Sequence, residues 1–355
     1  MKVLIAAGGT GGHLYPGIAI AREVLAQAGD RAVFAGTERG IEARVLPAEQ
    51  LPVRFITAGK LKGMGLGAKL RTIAALPAGV LQALRVLGEE RPDVVIGVGG
   101  YASGPVAFAA WLRRIPLLVV EPNSYAGLAN RMLGRLAKRV FVCFPGTDRQ
   151  GFFPAGKKTL LGPLVRKGID AGGRPAALAA FGLGQGRFTV LVMGGSGGAH
   201  AINMAMKDAA PELAAVPGLQ VLHQTGEKDV KDVREGYRSA GVKAAVVPYL
   251  TDMAGAYAAA DLVVCRAGAT TVAELAVCGK RAVLVPYPFA ADNHQEHNGR
   301  SLAARGGAEV IVQKDLTPQV LAGVIRRFAA AGGGSAEPMA ASAAQEIARA
   351  CRDYV

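Results

Sequence analysis

Gly8-Gly9-Thr10-Gly11-Gly12-His13 follows a five-residue apolar run, Val3-Leu4-Ile5-Ala6-Ala7, and leads through Leu14-Tyr15-Pro16-Gly17 into an amphipathic stretch, Ile18–Ala26. The apolar run is too short for a helix and fits a buried strand. Strand, glycine-rich turn and helix start together make a common anion site, because glycine lets the backbone approach an oxygen and first-turn N–H groups point at it. A tight turn that merely needs glycine explains the motif equally well. Two further loops of the same kind shift the balance. Gly97-Val98-Gly99-Gly100-Tyr101-Ala102-Ser103-Gly104 follows a strand-like run at Asp93–Gly97, and Gly194-Gly195-Ser196-Gly197-Gly198-Ala199 follows one at Phe188–Met193.

Between these loops β-rich runs alternate with helical patterns. Strands are expected at Lys2–Ala7, Arg31–Ala35, Val53–Thr57, Asp93–Gly97, Leu117–Glu121 and Arg139–Cys143. A second set is expected at Phe188–Met193, Leu219–His223, Ala244–Val247, Asp261–Cys265, Arg281–Pro286 and Glu309–Val312. Such alternation implies an α/β chain of two Rossmann-like, doubly wound parallel-sheet domains, with ligands at the carboxyl ends of the strands and the glycine loops facing across a cleft. The hinge is expected at Leu161-Gly162-Pro163-Leu164, giving domains 1–161 and 162–337. Ala331-Gly-Gly-Gly-Ser335 precedes a last helical stretch, Pro338–Tyr354, expected to pack back on the first domain.

The chain has 355 residues, 51% of them hydrophobic, so burying a large core presents no difficulty. Its net charge of +14 is unevenly spread. Residues 1–161 carry 21 Lys+Arg against 10 Asp+Glu, and residues 162–355 carry 20 against 17. The first half is therefore expected to meet something anionic. Nucleic acid is disfavoured, since aromatics make up 6% of residues and none interleave with the basic cluster. Within Lys60–Arg91, Leu66, Leu70, Ile73, Val80, Leu84 and Leu87 recur at helical spacings, flanked by Lys60, Lys62, Lys69, Arg71, Arg85 and Arg91. Trp111-Leu112-Arg113-Arg114 adds the single tryptophan beside two arginines. A core helix with a solvated basic face fits this pattern; a peripheral patch for an anionic membrane fits the charge excess better.

The four cysteines show no CxxC spacing, which disfavours zinc and disulfides and suits a reducing compartment. The opening residues do not read as a signal peptide. The uncharged runs Val94–Leu112 and Phe188–Met206 are broken by glycines and read as strand, loop and helix rather than as spans. A dinucleotide enzyme is the competing class. Gly97-x-Gly99-x-x-Ala102 is a degenerate fingerprint, and Glu121 stands 19 residues beyond Ala102, about where a ribose-binding acid belongs. The other loops do not fit it, with Leu14 and His200 where a small residue is required.

Two more constellations lie in the second half. Arg266-Ala267-Gly268-Ala269-Thr270-Thr271-Val272-Ala273-Glu274 follows the strand at Asp261–Cys265, and its carboxylate could accept two ribose hydroxyls or simply favour the helix dipole. Pro286 to Asn298 is dense in hydrogen-bonding groups, but His294 and His297 lack HExxH spacing and no Asp-x-Asp occurs, so no metal is expected.

Taken together, GGTGGHLYPGIAIA (8–21), GVGGYASGP (97–105), EPNSYAGLANR (121–131), GGSGGAHAIN (194–203), VVCRAGATTVAEL (263–275) and VPYPFAADNHQEHN (285–298) resemble one family over essentially the whole chain. It is the MurG family of peptidoglycan glycosyltransferases. The resemblance implies a GT-B fold and metal-free, cofactor-free, inverting transfer of N-acetylglucosamine from UDP-N-acetylglucosamine. The acceptor it implies is the C4 hydroxyl of undecaprenyl-diphosphate-linked N-acetylmuramoyl-pentapeptide, used at the cytoplasmic face of a bacterial plasma membrane. Ser196, Gly197 and Gly198 would hold the diphosphate with Arg166 beside it. Leu250 and Ala267, Gly268, Ala269, Thr270, Thr271 and Val272 would hold the uracil and the adjoining phosphate region, and Glu274 the ribose. His294, Gln295 and Asn123 would grip the acetamido sugar, with Thr10, Gly11 and Gly12 against the donor. Gly99, Gly100, Tyr101 and Ser103 would face the carrier's diphosphate, and His13, an imidazole at a strand end, is the candidate base. The chain departs from the family pattern at Gly197, usually Gln, at Pro122, and at Pro163-Leu164. A membrane-bound nucleotide-sugar sensor would need the same loops without the base.

Overall fold

The computed structural model describes residues 1–59, 66–148, 150–195, 197–332 and 334–355, and of residues 66–75 the backbone alone. It forms two compact units, Met1–Lys167 with Ala340–Val355, and Gly168–Met339.

The first unit opens with β1 (Lys2–Ala7), α1 (Gly11–Leu25), β2 (Arg31–Gly36), α2 (Glu42–Ala48), β3 (Val53–Phe55) and α3 (Leu66–Glu90). It continues with β4 (Val94–Gly99), α4 (Ser103–Leu112), β5 (Leu117–Glu121), α5 (Leu128–Leu133), β6 (Arg139–Val142) and β7 (Lys158–Leu160). Among the described residues these strands make one parallel sheet, ordered β3-β2-β1-β4-β5-β6-β7. Its central strands are apolar along their whole length because helices cover both faces: every residue of β4 and β5 is buried. The winding reverses between β1 and β4, and the register slips between Ala6 and Ala7 so that Ala7 lies opposite Gly99. The first two glycine loops leave the sheet at this reversal, where open sheets place ligands.

The second unit holds α6 (Arg174–Ala180), β8 (Phe188–Met193), α7 (His200–Asp208), α8 (Ala210–Ala214), β9 (Leu219–Gln224), α9 (Val230–Ser239) and β10 (Ala244–Val247). Then come α10 (Met253–Ala259), β11 (Leu262–Cys265), α11 (Ala269–Val277), β12 (Arg281–Leu284), α12 (His294–Ala303), β13 (Ala308–Val310) and α13 (Pro318–Ala330). The sheet order is β10-β9-β8-β11-β12-β13, again parallel, with the reversal between β8 and β11. The third glycine loop and the Arg266–Glu274 segment flank that reversal.

The last helix, α14 (Ala343–Cys351), packs on α1, with Arg352 on Asp30 at 2.5 Å. It starts later than the expected Pro338, because the Met339 N–H is held by the Ala276 carbonyl (2.9 Å) and the chain there stays extended. No helix among the described residues is long and apolar enough to cross a membrane.

The apolar stripe assigned to a membrane needs correction. Leu87 is buried, and Val80 and Leu84 pack against the same core, so these three belong to the interior. The exposed apolar side chains are Leu81, Phe108, Trp111 and Leu112, beside exposed Arg85, Arg113 and Arg114. Phe108 and Trp111 stack at 5.6 Å. Lys60 and Lys62, and the side chains of Leu66, Lys69, Leu70, Arg71 and Ile73, lie outside the described residues.

Candidate functional site

In the first unit the loops after β1 and β4 are built against each other. Gly100 has φ +86°, and a Cβ there would come within 2.1 Å of the Gly8 carbonyl, so only glycine allows this approach. At Gly99 a Cβ would strike the His13 ring at 2.7 Å, and the Tyr101 ring lies over Gly9. Ser103, expected at the acceptor, is fully buried. Its hydroxyl accepts from the Gly99 N–H (3.0 Å) and donates to the Ala6 carbonyl (2.6 Å), tying the ends of β4 and β1 together. The first turn of α1 presents His13, whose Nδ1 lies 3.2 Å from Thr10 Oγ1. Thr10 is exposed, and Gly11, Gly12 and His13 are half-buried.

Beneath the first loop sits Glu42, a residue the sequence reading missed. It is fully buried in the first turn of α2. Its Oε2 accepts from the Gly9 N–H (2.9 Å), and its Oε1 from the Thr37 N–H and hydroxyl (both 2.8 Å). Gly8, Gly36 and Gly40 make room for this carboxylate, since a Cβ at each would lie 2.1–2.5 Å from its atoms. A negative charge therefore already underlies this loop, which suits a neutral or cationic neighbour better than a phosphate.

Glu121 closes β5 in a similar way. Its oxygens accept from the Asn123 N–H (2.9 Å) and Nδ2 (3.0 Å), the Gly127 N–H (2.7 Å) and Asn130 Nδ2 (2.9 Å). Burial raises its pKa while these donors oppose the rise. So committed, it has no place for a ribose, and the dinucleotide alternative loses its acid. Asn123, expected on the acetamido sugar, is buried with its amide on Glu121. Arg166 falls in the first unit, its guanidinium 5.2 Å from the Tyr15 ring centroid.

The second unit braces its loop differently. Gly198 (φ +75°) abuts the Thr225 carbonyl, where a Cβ would come within 1.9 Å. Asn203 on α7 holds that carbonyl from behind, its Nδ2 donating to Thr225 O (2.8 Å) and Asp229 Oδ2 (2.7 Å). With its amide N–H groups so used, Asn203 Oδ1 accepts from His223 Nε2 (3.1 Å), and His223 Nδ1 then accepts from the Tyr237 hydroxyl (2.9 Å). Burial pushes the His223 pKa down to about 3, so the ring is neutral, and pushes the Tyr237 phenol upward. At the outer end Asp229 meets exposed His200 at 3.0 Å. Burial tends to raise the Asp229 pKa, but the Asn203 and His200 donors bring it below the usual range. The N–H groups of Gly197, Ala199 and His200 have no partner among the described residues. Ser196 lies outside the described residues.

After β11, Arg266 clamps the following loop by donating to the Val285 and Pro286 carbonyls (3.2 Å each) and Gln313 Oε1 (2.6 Å). Ala267, Ala269 and Val272 are buried packing, as is Leu250, whereas Gly268, Thr270 and Thr271 stay partly exposed. Glu274, on the second turn of α11, is buried with Oε2 accepting from the Tyr257 hydroxyl (2.9 Å). Burial, then the Glu274 charge, holds that phenol's pKa well above its usual value. His294 and Gln295 open α12 after two successive left-handed residues, Asp292 and Asn293. His294 Nδ1 donates to the Ala291 carbonyl (2.6 Å) and Gln295 Oε1 accepts from the Tyr287 N–H (2.9 Å), leaving the imidazole Nε2 and the amide NH₂ for a ligand.

Residues 3–142 match the N-terminal domain of glycosyltransferase family 28, and residues 189–353 match its C-terminal domain. The chain belongs to glycosyltransferase family 28. It is therefore a glycosyltransferase of the two-domain GT-B architecture. It is 47% identical, over its whole length and 94% of the relative, to the UDP-N-acetylglucosamine–N-acetylmuramyl-(pentapeptide) pyrophosphoryl-undecaprenol N-acetylglucosamine transferase of Anaeromyxobacter sp. (strain Fw109-5). The like-named protein of Myxococcus xanthus (strain DK1622) is 45% identical over 92% of this chain and 84% of the relative. The crystal structure of Acinetobacter baumannii MurG superimposes with a TM-score of 0.76 at 31% identity, covering 99% of both chains. Each family-28 domain thus brings one sheet reversal and its glycine loops.

Proposed function

We propose that this family-28 enzyme transfers N-acetylglucosamine from UDP-N-acetylglucosamine to the C4 hydroxyl of the muramyl sugar on an undecaprenyl-diphosphate carrier, with inversion. The full-length 47% identity to transferases so named carries the reading. In the proposed step the acceptor oxygen attacks the anomeric carbon and the bond to the UDP oxygen breaks. The hydroxyl proton passes to His13, and UDP leaves with the bonding electrons. For this His13 must donate its Nδ1–H to Thr10 Oγ1, which puts the basic lone pair on Nε2. Negative charge builds on the departing diphosphate, which we assign to the N–H groups of Gly197, Ala199 and His200 with Gly198 and Ser196, and to Arg166. Fixed donors at such a place are worth about 2.7–4 kcal/mol each. Thr270, Thr271 and Glu274 hold the nucleoside, and His294 and Gln295 hold the sugar. Thr10, Gly11, Gly12 and Tyr101 serve the first unit's side of the reaction, while Ser103, Asn123 and Glu42 keep its loops in shape. Incubation with labelled UDP-N-acetylglucosamine and the muramyl lipid tests this: label must appear on the lipid, and release of UDP without lipid product would refute it.

The lipid acceptor also supports a peripheral membrane role on the cytoplasmic face. Leu81, Phe108, Trp111 and Leu112 are placed to enter an interface, and Arg85, Arg113 and Arg114 to meet anionic headgroups, at about 1 kcal/mol per basic residue. Sedimentation with anionic but not neutral vesicles, weakened in Trp111→Ala, is the expected result; equal sedimentation with both vesicle types would remove the patch.

A further inference from the structure

A cavity of about 550 Å³ lies within the second unit, with Tyr257, the hydroxyl partner of Glu274, in its wall. Lys280 and Asp261, which line it, precede β12 and β11, whereas the donor-site groups follow those strands. A four-residue parallel strand separates the two ends by about 13 Å. Its walls include apolar Ala254, Val277 and Pro338, and its volume is that of a small-molecule site.

The charges lining it resolve into one satisfied pair and two single ions. Arg174 donates to Asp261 Oδ2 at 2.7 Å and to the Ala259 carbonyl at 2.8 Å, so these two cancel. Lys280 donates to the Ala260 carbonyl (2.9 Å) and makes no ion pair among the described residues. Asp170, exposed at the rim, makes none either. Cys278 feels both: its thiol is pushed up to about 12 chiefly by burial and then by the Glu274 charge, with Lys280 pulling it down and Asp170 raising it. A half-buried ammonium and a carboxylate thus flank a cavity of mixed polar and apolar lining, with no ion pair between them among the described residues. A lone anion would answer Lys280 and be repelled by Asp170, and a lone cation the reverse; a zwitterion answers both.

We infer that this cavity binds a free amino acid, its carboxylate on Lys280, its ammonium on Asp170 and its side chain against the apolar wall. The chain segments joining the two units supply part of the lining, Asp170 just after Lys167 and Pro338 just before Ala340.

Fluorine NMR of 4-fluoro-L-phenylalanine with the full-length protein tests this. Its signal should broaden on adding protein and remain broad when UDP-N-acetylglucosamine is saturating. Lys280→Met and Asp170→Asn should each weaken binding at least ~10-fold, with Lys280→Arg restoring it. The carboxylate-only 3-(4-fluorophenyl)propanoate and the amine-only 4-fluorophenethylamine should bind at least ~10-fold more weakly. Absence of broadening, displacement by the nucleotide sugar, unchanged binding by the exposed-site variant Asp170→Asn, or equal binding of either single-charge analogue would overturn the assignment.

Discussion

The glycine loops after β1 and β8 look alike in sequence yet are braced by opposite means. Under the first lies the Glu42 carboxylate, which takes the Gly9 N–H for itself. Behind the second stands the Asn203 amide, part of a relay whose buried imidazole is neutral, and the N–H groups of Gly197, Ala199 and His200 point to no protein acceptor among the described residues. A loop with a buried anion beneath it is suited to presenting a side chain, here His13. A loop whose amides are not taken by a buried carboxylate is suited to taking a diphosphate. The same local pattern is thus braced in two ways, matching the two roles we propose for it, and what decides the bracing is a residue far away in sequence.

The sharpest way to break this contrast is to remove the charged brace. Glu42→Ala leaves the Gly9 N–H and both Thr37 donors buried without an acceptor, and should lower stability by about 4 kcal/mol in urea unfolding. The matching deletion in the other unit, Asn203→Ala, should cost about 2 kcal/mol, because it removes a neutral group. Equal losses would mean that the charge under the first loop does nothing special.

Function supplies the next test. His13→Ala should reduce turnover at least ~100-fold, about 2.7 kcal/mol, the low end for loss of a general base. Calorimetric affinity for UDP-N-acetylglucosamine should scarcely change, since the donor's phosphates are assigned to the other loop. Unchanged turnover would remove His13 from the proton transfer; a large loss of donor affinity would mean that the first loop is a phosphate site after all.

These tests bear on what could be read from the chain alone. The buried parallel strands announced themselves as apolar runs, and the sheet strands fall within a few residues of the expected spans. β7 did not, because Lys158-Thr159-Leu160 is a three-residue edge strand with two of its residues exposed. The glycine loops were legible because backbone crowding admits no other residue at Gly100 or Gly198. The braces were not: Glu42, Asn203, His223 and Asp229 come together only through the fold, and a lone Glu on a short helix carries no sign of being buried. Ser103 and Asn123 were read as ligand contacts because polar residues beside glycines look available, while the structure commits both to their own loops. The stripe Val80–Leu84–Leu87 had the right period but faces the core, since helical spacing defines a face without saying what covers it.

The neutral relay makes its own prediction about pH. His223 titrates at about 3 in the fold against an ordinary 6.5, so between those values the unfolded chain binds the proton and the folded chain does not. Stability from this residue is whole above pH 6.5 and falls as pH drops toward 3, at up to about 1.4 kcal/mol per pH unit. Chemical unfolding followed from pH 7 to pH 4.5 should show that slope, and His223→Asn should flatten it. A slope unaltered in the variant would place the acid sensitivity elsewhere.

The finest contrast lies within the second unit, between the carboxylate of Glu274 and the phenol that holds it. If Glu274 takes the ribose, Glu274→Ala should raise the donor KM about tenfold, roughly 1.4 kcal/mol, with kcat little changed, because a nucleoside contact is the same in ground and transition states. Tyr257 is fully buried and donates to one oxygen only, so Tyr257→Phe leaves the other oxygen and the carboxylate charge in place. Its effect on the donor KM should be no more than about threefold, roughly 0.7 kcal/mol, because the carboxylate that meets the ribose is itself retained. A kcat defect in Glu274→Ala at unchanged KM would instead tie this carboxylate to the departing diphosphate, and the division of work between open amides and buried acids would have to be redrawn.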